Sequence, residues 1–118
     1  MFKFEKLDVW QKAVDLADLV YDVTITFPDA ERFGLTNQMR RAAVSISSNI
    51  AEGSSRSSNG DFARFLEIAT GSLFEVVSQS RISMRRHFTS GTDHAKLYEA
   101  AEELGRMLSG LRKTLLAA

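Results

Sequence analysis

The stretch Leu35 to Gly53, LTNQMRRAAVSISSNIAEG, constrains the fold more than any other part of the chain. At about 3.6 residues per turn, Leu35, Met39, Ala42, Ala43, Ile46 and Ile50 fall on one narrow apolar stripe. Gln38, Arg41, Ser45, Asn49 and Glu52 form an equally narrow polar stripe on another face. The small residues Ala43, Ser47, Ser48 and Ala51 let neighbouring backbones come close. Gly53 stands where a left-handed residue ends a helix at least cost, which predicts the helix end there.

Three further segments carry helical periodicity. From Lys6 to Phe27, one apolar stripe is Leu7, Trp10, Val14, Ala17, Tyr21 and Thr24, and a second is Val9, Ala13, Leu16, Val20, Val23 and Phe27. Together they span roughly 200°, against the ~100° that a surface helix needs, so either this helix sits unusually deep or, the reading favoured in so small a bundle, part of its arc buries against another subunit. Asp8, Lys12, Asp15, Asp18 and Asp22 fill the remaining face. Pro28 disfavours helical geometry at the residue before it and helps to stop this helix.

After the polar segment SSRSSNG (54–60), Ser58 caps a third helix over Asn59 to Phe88. Its apolar face is Phe62, Phe65, Leu66, Ala69, Leu73, Val76, Val77 and Met84. Thr89 to Thr92 make a second polar turn. A last helix, Asp93 to Leu116, repeats Leu97, Ala101, Leu104, Leu108, Leu111 and Leu115, a coiled-coil-like seam. Four helices with short connections predict an all-α, antiparallel up-down-up-down four-helix bundle in a single domain, 1–118. Trp10 and the phenylalanines read as core.

The segments QMRRAAVSISSNIAEG, FEKLDVWQKAVDLADLVYDVTITFP (4–28) and DFARFLEIATGSLFE (61–75) together resemble the family of 23S rRNA intervening-sequence proteins. Ser47 departs from that family's common proline, and beyond Glu75 the likeness fades. The resemblance implies a helical bundle that assembles as a ring-shaped homopentamer, and no established catalytic activity. Accessory proteins of diversity-generating retroelements, similar in fold, pair with a reverse transcriptase and are strongly basic.

Composition excludes several classes. Cysteine is absent, which removes disulfides, thiolate metal sites and a cysteine nucleophile. No apolar run approaches the ~20 residues of a membrane span, and the amino terminus lacks a signal peptide's apolar core, so a cytoplasmic protein is expected. The 15 basic and 15 acidic residues cancel, but residues 1–34 carry a net −3 and residues 35–60 a net +2. The first helix is an acidic wall and the middle is mildly basic, short of the dense patch typical of nucleic-acid binders.

No phosphate-binding loop or Glu-x-x-His pair is present, and no cofactor is implied. His87, His94 and Asp93 cluster near one turn and read as solvated side chains. Arg81 and His87 match the loose arginine–histidine spacing of helical HEPN ribonucleases. There histidine is acid or base and arginine stabilises the phosphorane. The competing reading is a helix end whose Arg85, Arg86 and His87 complement the dipole. The polar stripe reads as a solvated face, a hydrogen-bonded seam, or a recognition surface in which Arg40, Arg41 and Arg56 meet phosphates. The expectation is therefore a non-catalytic, homo-oligomeric assembly or adaptor protein, with RNA, DNA or a nucleic-acid-processing protein as partner. The alternative is a ribonuclease using Arg81 and His87.

Overall fold

A computed structural model describes residues 1–118: four α-helices, no strand, and two short 3-10 turns. The helices are α1 (Asp8–Thr24), α2 (Leu35–Ser54), α3 (Asn59–Arg85) and α4 (Gly91–Ala117). They pack as a bundle 45 × 21 × 21 Å. Each helix touches its neighbours in the order α1, α2, α3, α4 and back to α1, while α1 and α3, and α2 and α4, lie on diagonals. No helix is long and apolar enough to cross a membrane.

α1 is shorter than its periodicity predicts. Leu7 is extended and separates it from the 3-10 turn Lys3–Lys6. At the other end, Thr24 Oγ1 donates to the Val20 carbonyl at 2.7 Å, and the helix closes there, three residues before Phe27. Of its two apolar stripes, Val9, Ala13, Leu16, Val20 and Val23 are the buried one. Leu7, Trp10, Val14 and Ala17 stay half-buried, and Tyr21 is exposed. Trp10 is thus not core: its ring stacks obliquely on Phe4, 4.9 Å between centroids.

α2 buries Met39, Ala42, Ala43, Ile46 and Ile50, the stripe expected of it. Glu31 accepts from the Leu35 N–H at 3.2 Å and so caps its first turn. The expectation at Gly53 is corrected. No glycine in the chain has a positive φ, and Gly53 lies buried inside the helix, which continues to Ser54. A Cβ there would stand 2.7 Å from Phe65 Cβ and 2.9 Å from a Phe62 ring carbon. The glycine exists for close approach of α3, not for a turn.

Ser58 caps α3 as expected, its hydroxyl accepting from the Asp61 N–H at 3.1 Å, and Ser90 does the same for α4 from Asp93 at 3.0 Å. α3 ends at Arg85 rather than Phe88. His87 takes φ 64°, the left-handed region, the one non-glycine residue to do so. Its N–H reaches the Met84 carbonyl at 3.0 Å and the Phe88 N–H reaches Ser83 at 2.8 Å. This is a Schellman turn with histidine where glycine is usual. The Phe88 ring then packs 5.9 Å from Phe27, closing this end of the bundle.

Of the eight phenylalanines only Phe27 and Phe65 are buried, while Phe2, Phe33 and Phe74 stand in solvent. The aromatic residues are therefore poorer core markers here than the aliphatic ones, because a loop or helix edge leaves a large ring uncovered whatever its hydrophobicity.

Candidate nucleic-acid and partner interface

The polar stripe of α2 divides along its length. At its centre, Ser45 Oγ lies 3.0 Å from Ser72 Oγ of α3. Asn49 Nδ2 donates to the Ser45 carbonyl at 2.8 Å and to its Oγ at 3.0 Å. These residues form a hydrogen-bonded seam that lets α2 and α3 pack without leaving buried donors idle. Gln38, Arg41 and Glu52 are exposed at either end. Gln38, Arg41, Ser45, Ser72, Glu75 and Gln79 line a shallow groove of about 380 Å³ over the seam. Gln79 Oε1 is buried in it without a hydrogen-bond partner.

Arg40, Arg41 and Arg56 do not converge. Arg40 Nε donates to Thr24 Oγ1 at 2.9 Å, and its guanidinium lies 4.6 Å from the Tyr21 ring centroid, so it ties α2 to α1. Arg56 pairs with Glu52 at 3.1 Å and covers Phe65 at 4.7 Å. Arg41 is exposed and makes no hydrogen bond or ion pair. Fifteen residues separate it from Arg56, about 20 Å along the helix axis. The three guanidinium groups would touch separate stretches of any polyanion.

Arg81 is an exposed residue of α3, and His87 lies outside the helix in its left-handed turn. His94 is the correction here. Read as a solvated side chain, it is buried, and its Nδ1 lies 2.7 Å from Ser80 Oγ, which is itself 1% exposed. The pair joins α3 to α4, and Tyr98 lies against the imidazole at 6.2 Å. No group of three His, Asp or Glu side chains is placed to hold a metal ion.

Two further surface features stand out, the first only partly expected from the wide apolar arc of α1. The first is the flank where α1 meets α2. Tyr21 of α1, Ile25 just beyond its end and Val44 of α2 are exposed there, beside half-buried Trp10, Val14, Ser47 and Ala51. The acidic residues of α1 lie around its other side. The second feature is Phe33, 85% exposed, with the Arg32 guanidinium 5.5 Å from its ring. Only the double stripe of α1 hinted at the flank, and nothing in residue type marked Phe33 as solvent-facing.

Four solved chains match this one. Among them is a crystal structure from Bacteroides thetaiotaomicron VPI-5482, described as a protein of unknown function from the S23 ribosomal protein family. It shares 21% identity with a TM-score of 0.79, over 89% of this chain and 98% of that one, which is a likeness of fold. No curated protein is similar enough to count as a match. The family model described as 23S rRNA-intervening sequence protein matches residues 5–110, across all four helices and the seam that joins α2 to α3. The chain belongs to the 23S rRNA-intervening sequence protein family.

Proposed function

We propose that this protein is a non-catalytic, cytoplasmic building block. It is an antiparallel up-down-up-down bundle that assembles with copies of itself, in the homopentamer that the family resemblance implies. It serves as an assembly or adaptor protein with weak nucleic-acid contacts. The antiparallel reading rests on contacts that run in reverse order. Met39, Ser45 and Gly53 of α2 meet Ser83, Ser72 and Phe65 of α3, and Glu67 and Ser80 of α3 meet Arg112 and His94 of α4.

The observation that carries assembly is the α1–α2 flank. Its apolar side chains run along two helices beside small residues of α2, a surface that a second helix pair can approach closely. Burying apolar area of this kind contributes about 25 cal/mol per Å². Light scattering is expected to give an oligomer at micromolar concentration, and Val44→Glu, on a side chain 42% exposed, is expected to dissociate it with helicity unchanged. A wild-type protein running at 13.2 kDa would overturn this reading.

The Schellman turn supplies a conformational reason for His87 that needs no catalysis, which favours the building-block reading over an Arg81–His87 ribonuclease. Arg41, the one unpaired guanidinium of the three candidates, is the residue of that set best placed to meet a phosphate.

A further inference from the structure

The chain's arginines divide by their engagements. Arg40, Arg56 and Arg112 make side-chain hydrogen bonds, the last to Glu67 at 2.8 Å. The other seven make none and pair with no carboxylate, among them Arg32, Arg81, Arg85 and Arg86. All four are exposed. They gather at one end of the bundle, because the Phe27–Phe88 contact and the 3.5 Å approach of Ser83 Oγ to Met39 Sδ bring the end of α3 against the α1–α2 connection. That end is about 21 Å across. Its carboxylates are Asp22, Asp29, Glu31 and Asp93, of which Glu31 is committed to the first turn of α2. Phe33 stands in the same connection, its ring almost wholly in water. Isolated exposed apolar side chains are ordinary, but one set among unpaired guanidinium groups has a specific use.

We infer that this end of the bundle, through Arg32, Phe33, Arg85 and Arg86, binds single-stranded nucleic acid. Unpaired guanidinium groups meet phosphates without first giving up a carboxylate, and an exposed aromatic face stacks an unpaired base. A duplex keeps its base faces covered, so Phe33 selects the single strand. The Arg32 guanidinium lies over one face of the Phe33 ring, which leaves the other face for a base. Assembly would set several such ends near one another, so weak individual contacts would add. The inference takes its ligand class from the proposed function but moves the contact from Arg41 to Arg32, Phe33, Arg85 and Arg86.

The test measures fluorescence anisotropy of a labelled single-stranded oligo-uridine with full-length protein over a range of salt. Wild type is expected to bind at low salt and to weaken as salt rises, since phosphate contacts release counterions. Arg85→Gln with Arg86→Gln should weaken binding and flatten the salt slope by about 1.4, at ~0.7 per phosphate contact on a single strand. Phe33→Ala should weaken binding roughly tenfold and leave the slope unchanged. Circular dichroism and light scattering on each variant report folding and assembly separately. Loss with Arg41→Glu but retention in these variants would overturn the inference and keep the nucleic-acid part of the proposed function. No binding by wild type would overturn both, leaving assembly to be judged by light scattering alone. Equal competition by duplex RNA would remove the role given to Phe33.

Discussion

At the scale of single residues, Gly53 and His87 exchange the roles that their types suggest. A buried glycine inside a helix ordinarily gains about 1 kcal/mol on replacement by alanine. At Gly53 the sign reverses, because the added methyl meets Phe65 Cβ, an atom that moves only with its backbone. Gly53→Ala is expected to cost about 1–3 kcal/mol, read from chemical denaturation; an unchanged or raised midpoint would show that α3 yields. His87 occupies a left-handed position at a cost glycine avoids, so His87→Gly is expected to raise stability by about 0.5–1 kcal/mol. The same variant separates the two functional readings: an Arg81–His87 nuclease would lose RNA cleavage with it, and a turn residue would not. The letters of the sequence announced that Gly53 was special. They could not announce why, since helical periodicity is blind to what presses on a face from outside.

At the scale of helices, all four elements were legible from periodicity, and the cap at Ser58 from its spacing to Asp61. What was not legible was which stripe of α1 turns inward. Both stripes have aliphatic residues at helical spacing, and the choice falls to packing: Val9, Ala13, Leu16, Val20 and Val23 bury, leaving the Trp10 side at the margin. Register between helices was equally hidden, and in α3 and α4 it is pinned by Ser80 and His94. Ser80→Ala would strand the His94 Nδ1 in a buried site, a loss of about 1–3 kcal/mol in the unfolding free energy. Replacing His94 by leucine as well should recover much of it, because both polar partners are then gone. If Ser80→Ala melts with wild type, the pair does not hold the register.

At the scale of the whole molecule, the candidate site was only partly legible. Arg40, Arg41 and Arg56 are near one another or near a turn in sequence, but the fold engages two of them and separates the third. Arg32 and the adjacent Arg85 and Arg86, more than fifty residues away in sequence, come to one end only because the end of α3 packs against the α1–α2 connection. The ring of neighbours has a further consequence. α1 leans on α2 and α4 alone, and its outer face sets Asp15, Asp18 and Asp22 three and four residues apart, where like charges repel. The α2–α3 pair, by contrast, is locked by the Ser45–Ser72 seam and the close approach at Gly53. α1 is therefore expected to open before the other helices, read as lower amide-exchange protection over Asp8–Thr24 than over α2 and α3. The flank proposed for assembly lies partly on that same helix, so docking a neighbour would hold in place the least secure quarter of the fold.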